Sequence, residues 1–243
     1  MLELPPDLLD ALSGAGRVVA LTGSGVSAES GVPTFREAQT GLWERFDPKE
    51  LATPEAFIRD PRLVWDWYEW RRRLVERAEP NAGHLALAEF GWRLPAFTLV
   101  TQNVDGLHQR AGSGEVLELH GNILRSKCSW EGTMVDDYAP VEAPPPCPSC
   151  GAPLRPDVVW FGEGLPTGAF EAASEAARAC DLFLSIGTSS LVYPAAALPF
   201  EALKKGAVLV EVNPDETPLS AYADHVLRGP AGEMLPRLVT ALP

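Results

Sequence analysis

Six short apolar runs, rich in Val, Leu and Phe, recur along the chain at 17–21, 97–101, 115–119, 157–161, 182–186 and 207–212. Runs of that length and composition suit strands buried on both faces of a parallel sheet. Stretches compatible with helix alternate with them, at 27–31, 84–90, 103–111, 168–179, 194–205 and 231–240. This alternation predicts an α/β fold built on a doubly wound parallel sheet. Two segments break the pattern. Residues 38–80 read as helical and hold Trp43, Trp65, Trp67 and Trp70. Residues 125–156 contain the run Pro144-Pro145-Pro146 and the turn Cys147-Pro148-Ser149-Cys150, too much proline for sheet core. Both are expected to form a smaller module inserted beside the sheet. The large part then covers about 1–37, 81–124 and 157–243, and the module about 38–80 and 125–156.

A chain of 243 residues can bury one large core with a smaller appendage. Its net charge of −13 disfavours a nucleic-acid partner, which calls for a basic face. The acidic surface is read as a means of staying soluble. No apolar run reaches the length of a membrane span, and the N-terminus lacks a basic segment followed by an apolar one. A cytosolic protein with no membrane partner is therefore expected. In that compartment Cys128, Cys147 and Cys150 point to metal rather than to disulfides. Cys180 precedes an apolar run and is read as a small core residue.

Three loops at the carboxyl ends of predicted strands carry chemistry. After the first run comes Gly23-x-Gly25-x-x-Ala28, the spacing of a dinucleotide-binding turn. In this reading Gly23 takes a positive φ, Gly25 lets a phosphate approach the backbone, and Ala28 allows close helix–strand packing. The helix that follows aims its N–H groups at the pyrophosphate, with Ser24 and Ser27 as further donors. The acidic ribose ligand usually found about 20 positions on is missing, and Asn213, at the end of a late strand, is the expected substitute. After the second run come Asn103 and Asp105, an amide and a carboxylate. His120-Gly121 ends the third and adds a base with an ordinary pKa of about 6.5, near working pH. Together these loops imply a protein that binds a dinucleotide and acts on it. His84, His108 and His225 lack such surroundings and are read as structural.

Several segments, in chain order, resemble the signatures of the sirtuins, the NAD-dependent protein-lysine deacylases. They are Gly23 to Arg36, Thr101 to His108, His120-Gly121, Val158 to Glu163 and Gly187-Thr188-Ser189, with Ser24 where alanine is usual. The resemblance covers nearly the whole chain. It implies a Rossmann-like sheet with an inserted helical and zinc-ribbon-like module, NAD as co-substrate and acyl-lysine proteins as substrates. The implied products are nicotinamide, O-acyl-ADP-ribose and free lysine. His120 is implied as general base, with Asn103 beside it in catalysis. Asn103 and Asp105 would hold the nicotinamide ribose and carboxamide, and Phe35 and Arg36 would cover the reacting face and the phosphates. Ser189, Asn213 and Ala231 would hold the adenosine half. Glu29, Thr34, Gln102, Val104, Gly187, Thr188 and Asp215 complete the implied cofactor contacts with the residues of the glycine turn. Val159, Trp160, Phe161 and Gly162 form the implied substrate-binding segment.

Tyr68 and Arg71 are three apart and share one helix face. A phenol beside a guanidinium makes a carboxylate receptor. By spacing alone, the favoured reading is that Arg71-Arg72-Arg73 is a solvated face with Tyr68 as packing. Resemblance to the sirtuins that carry a Tyr-x-x-Arg pair implies removal of succinyl, malonyl or glutaryl groups, with acetyl weaker. Sirtuins usually hold structural zinc with two Cys-x-x-Cys pairs. Here the second pair, Cys147 and Cys150, is intact, but the first reads Cys128-Ser129-Trp130-Glu131. Three thiolates with Glu131, Asp136, Asp137 or water as fourth donor are the expected set, holding zinc less tightly than four cysteines. An enzyme directed mainly at acetyl-lysine, a mono-ADP-ribosyltransferase and an NAD-sensing module without turnover stand as alternatives. Protein targets and oligomeric state are not specified by the sequence.

Overall fold

The computed structural model of the chain describes residues 4–33, 47–138 and 143–242. Among them the strands are β1 (Val18–Thr22), β2 (Phe97–Thr101), β3 (Val116–Glu118), β4 (Gly121–Cys128), β5 (Leu154–Val158), β6 (Leu182–Ile186), β7 (Val208–Val212) and β8 (His225–Leu227). Six form one sheet in the order β3-β2-β1-β6-β7-β8, parallel throughout. This is the doubly wound arrangement. Strand order reverses between β1 and β6, which opens a crevice at their carboxyl ends.

The described helices are α1 (Pro6–Gly14), α2 (Pro48–Leu51), α3 (Pro54–Arg59), α4 (Pro61–Arg77), α5 (Ala82–Arg93), α6 (Leu107–Arg110), α7 (Thr167–Ala179), α8 (Leu198–Leu203) and α9 (Ala231–Thr240). Alternate strand positions serve the two faces of the sheet. Val18, Ala20, Leu184 and Val210 pack on Leu12, Phe90 and Leu235 of α1, α5 and α9. Val19, Leu21, Phe183 and Leu209 pack on Ala173, Ala177 and Leu198 of α7 and α8. With both faces covered, the strands read as continuous apolar runs.

The run 157–161 does not join the main sheet. Its first residues close β5, which pairs antiparallel with β4 in a separate two-stranded sheet. The chain reverses at Gly121, whose φ is +78°. A Cβ there would sit 2.1 Å from the Asp157 carbonyl oxygen, so only glycine fits. The polar composition of β4 hid it as a strand, and β8 is an edge strand of three residues. Other expectations shrink. The stretch 103–111 is helical only in α6, and the glycine-turn "helix" is a 3₁₀ segment, Ser24–Ser30. Residues 38–46 of the helical insertion lie outside the described residues.

Helix α4 packs on the two-stranded sheet. Asp60 caps it, accepting from the Leu63 amide at 3.0 Å. Val64, Trp67, Tyr68 and Val75 recur at helical spacing and pack with Phe57, Ile123, Val158 and Trp160. On the adjoining stripe, Trp65 packs on Cys128, Cys147 and Leu154. Arg72 completes the joint. In β4 the ladder pairs Asn122 with Asp157 and then Ser126 with Pro156, so 123–125 bulge out unpaired. The buried Arg72 guanidinium donates to the Ile123 and Arg125 carbonyls at 2.6 and 3.0 Å and to Ser126 Oγ at 2.9 Å. It thus serves the bulge in place of a strand.

Candidate active site

The carboxyl ends of β1, β2, β6 and β7 meet around the crevice. Gly23 and Gly25 are required there, but not for the reasons the motif suggests. Gly23 has an extended φ of −123°, not a positive one. A Cβ on Gly23 or Gly25 would lie 2.8 or 2.7 Å from the Gly187 carbonyl oxygen. A Cβ on Gly187, whose φ is +57°, would lie 2.5 Å from the Val26 amide nitrogen. The glycines therefore let the first and fourth strands of the main sheet end backbone to backbone, with the Gly25 amide donating to the Gly187 carbonyl at 2.8 Å. Ala28 is exposed rather than packed on a strand; Val26 and Ser27 are the buried residues of the turn. Glu29 accepts from the Gly232 amide at 2.7 Å, in the first turn of α9 beside Ala231.

A second network ties the loops across the crevice. Gln102 donates to Thr188 Oγ1 at 3.0 Å, and Asn213 Nδ2 to the Thr188 carbonyl at 2.9 Å. Asn213 Oδ1 receives the Asp215 amide at 3.3 Å. Ser189 is half-buried, and Ser190 is held at a φ of +56°, uncommon outside glycine. The buried Ser190 hydroxyl has no hydrogen-bond partner among the described residues. An orphaned hydroxyl beside converging loop amides suits a ligand rich in hydroxyls and phosphates, so the residues fit a dinucleotide.

Deeper in, a chain of buried groups fixes the carboxylate. Ser27 Oγ donates to Asp105 Oδ2 at 2.7 Å and accepts from Asn103 Nδ2 at 3.0 Å. Asp105 Oδ1 accepts from the Leu107 amide at 2.9 Å. His84 accepts from the Asn81 amide on Nδ1 at 3.3 Å, which leaves Nε2–H facing Ser27 Oγ at 3.4 Å. Burial holds His84 below its ordinary value, against the pull of Asp105. Burial and the neighbouring His84 push His108 down to about 3. Both imidazoles are neutral hydrogen-bonding parts of the wall, more than packing. The signal for His84 in the sequence is its capping spacing from Asn81 at the start of α5.

His120 sits in the turn between the two sheets. Its Nδ1 lies 2.8 Å from the Gln102 carbonyl, so Nδ1 carries the proton and Nε2 is left as the unprotonated nitrogen. Burial lowers its pKa, and the bond to Gln102 opposes the shift. Its own carbonyl accepts from the Val159 amide at 2.9 Å, which docks the following segment beside it.

That segment meets α4. Trp160 Nε1 donates to the Tyr68 hydroxyl at 3.0 Å. Arg71 lies on the same helix face as Tyr68, with its guanidinium 5.2 Å from the Trp67 ring. Burial pushes the Tyr68 phenol up to about 12, although Arg71 pulls it down. Burial lowers Arg71, against attraction by Tyr68 and Asp105. Phe161 is partly exposed; its amide donates to the Ala52 carbonyl at 2.9 Å. Gly162 turns at a φ of +90°. Glu163, the last residue of the signature segment, and Arg155, which no motif marks, brace this turn. Val104 lies on the module side, where its carbonyl accepts from the Ile123 amide at 2.8 Å. Thr34, Phe35 and Arg36 lie outside the described residues.

At the far end of the module, ligand atoms of Cys128, Cys147, Cys150 and Glu131 all lie within 4.8 Å of one another. Cys128 and Cys150 Sγ are 3.4 Å apart, and the Glu131 amide donates to Cys128 Sγ at 3.3 Å. A tetrahedral zinc with bonds of about 2.3 Å spaces its sulfurs about 3.8 Å apart. Three thiolates and one carboxylate fit zinc, and of the candidate fourth donors it is Glu131 that the fold brings to the cysteines. Cys180 is buried away from them in the main core.

Comparison with known proteins agrees with this geometry. A profile of the Sir2 family matches residues 23–194. A relative from Methylococcus capsulatus, named an NAD-dependent protein deacylase, is 49% identical over 99% of this chain and 98% of its own length. A crystal structure of a Sir2 homologue in complex with NAD is similar with a TM-score of 0.92 at 45% identity, covering 98% of this chain and 93% of that one. A Sir2 structure with a p53 peptide and NAD+ has a TM-score of 0.86 at 31% identity, over 97% of each chain.

Proposed function

This chain belongs to the Sir2 family, and on that premise we propose that it removes acyl groups from protein lysines at the expense of NAD, favouring succinyl and malonyl over acetyl. NAD supplies the electrophilic ribose carbon: nicotinamide departs, the acyl oxygen takes its place, and with one water the products are O-acyl-ADP-ribose and free lysine. His120 Nε2, its tautomer set by Gln102, takes the proton from a ribose hydroxyl so that the acyl group can move to the sugar. Asn103 and Asp105, fixed by Ser27, line the nicotinamide ribose. Ser189, Asn213 and the start of α9 line the adenosine half. Val159 to Gly162 hold the peptide next to His120. Zinc on the three cysteines and Glu131 supplies a structural cross-link within the module and no step of the reaction.

The observation that carries the acyl preference is the pairing of Tyr68 and Arg71 on one face of α4 beside Trp160. A succinyl carboxylate buried without a partner is costly, whereas a charge-assisted hydrogen bond contributes about 1.5–3 kcal/mol. That is roughly a tenfold to hundredfold effect on kcat/KM. Incubation of acyl-lysine peptides with protein and NAD, read by mass spectrometry, tests the reading. Succinyl- and malonyl-lysine should be consumed ahead of acetyl-lysine, and Arg71→Met should reduce the first two by that factor while sparing the third. An acetyl peptide consumed fastest would leave a plain deacetylase. ADP-ribose appearing on protein instead of O-acyl-ADP-ribose would replace deacylation with ADP-ribosyl transfer.

A further inference from the structure

A phenol is both a donor and an acceptor, but it helps a carboxylate only as a donor. In this fold the acceptor side of Tyr68 is already taken. Trp160 Nε1, a donor only, lies 3.0 Å from the phenol oxygen, and both side chains are buried. The indole has no freedom to turn away. The Arg155 guanidinium lies 3.3 Å from the centroid of its ring. Arg155 is in turn held by both Glu163 oxygens at 2.6 and 2.8 Å and by the Val158 carbonyl at 2.8 Å. The same Glu163 carboxylate accepts the Trp160 amide at 2.8 Å, and the Phe57 ring packs against the indole with centroids 5.3 Å apart.

We infer that Trp160 is a specificity-positioning residue: by donating to the Tyr68 oxygen it directs the phenol proton toward an incoming acyl carboxylate, and Arg155 and Glu163 lock the indole that does so. The inference rests on the acidic-acyl reading above. Burial supports it by keeping the phenol protonated. With the indole N–H in place, the phenol cannot satisfy itself by accepting from a water and turning its proton elsewhere without losing a bond. A carboxylate gains from that arrangement. An acetyl methyl gains nothing.

The test is the ratio of kcat/KM for a succinyl-lysine over an acetyl-lysine peptide in Trp160→Phe, Tyr68→Phe and the double variant. A ratio is used because damage to the fold or to NAD binding lowers both activities together. Trp160→Phe keeps an aromatic ring under Arg155 and removes only the indole donor. It should lower the ratio about three- to tenfold, the worth of one hydrogen bond. In the Tyr68→Phe background it should lower the ratio no further, because there is no phenol left to orient. An unchanged ratio in Trp160→Phe, or an equal drop with and without the phenol, overturns the inference. If Arg71→Met abolishes the preference while Trp160→Phe leaves it, only this inference falls. If the unmodified enzyme shows no preference for succinyl, the receptor reading falls and this inference with it.

Discussion

Replacement of Arg72 by methionine is the sharpest test of how helix α4 is held. Arg72 stands between Arg71 and Arg73, and the three look alike in the sequence. In the fold they do different work. Arg73 is exposed, Arg71 lies against the Trp67 ring, and Arg72 is 7% exposed. Methionine keeps much of the aliphatic stem, including its contact with Trp65, and removes the guanidinium that lies 5.0 Å from that ring. The lost bonds go to the Ile123 and Arg125 carbonyls, Ser126 Oγ and Glu69. Glu69 is partly exposed and its pairing contributes little. The carbonyls matter more, because they belong to a bulge that the strand ladder skips. Each buried carbonyl left without a donor costs about 1–3 kcal/mol, so the two together cost roughly 2–6 kcal/mol. For a chain of this size that lowers Tm by roughly 4–24 °C. Thermal melts of Arg72→Met and Arg73→Met, followed by circular dichroism under identical conditions, give the comparison; Arg73→Met should melt with the wild type. Two variants melting within about 2 °C of each other would refute the claim that Arg72 supports the bulge.

The remaining predictions concern the base and the metal. His120 is held below the ordinary histidine value by burial, and the proposed role as base requires it neutral. Activity should therefore be lost on acidification through an apparent pKa below about 6.5, and be flat from there towards pH 8. A kcat/KM profile whose acid limb falls at or above 6.5 would contradict the burial argument. His120→Ala should keep NAD affinity, measured by calorimetry, and lose roughly 10²–10⁴-fold in deacylation; near-normal turnover would remove the residue from its role. Zinc should be present at or below one per chain and leave readily to a chelator, since an oxygen donor replaces a thiolate for a borderline-soft ion. Glu131→Cys should slow that release, as followed by a colorimetric zinc indicator. Equal release rates in the two proteins would mean that Glu131 is not a ligand.

The sequence by itself determined the sheet and the place of the candidate site at its strand ends. Five of the six apolar runs are strands of the main sheet because a parallel strand is covered on both faces and must be apolar at nearly every position. The glycine turn, Asn103 with Asp105, and His120 were legible because loops at strand ends carry residues that packing alone does not call for. Tertiary structure decided the rest. The run 157–161 is as apolar as a sheet strand, yet Gly121 sends β4 back against β5 and removes it from the main sheet. Gly23 and Gly25 are spaced as for a phosphate, yet their missing side chains make room for Gly187, more than 160 positions away. Three adjacent arginines received three environments, and Glu131 was singled out from Asp136 and Asp137 by its distance to the cysteines. Periodicity records how much of each residue is buried, because burial is a local property of a strand or helix. It does not record against what, because that partner is chosen by how elements distant in sequence pack, and hydrogen-bond geometry at that contact is where these residues acquire their roles.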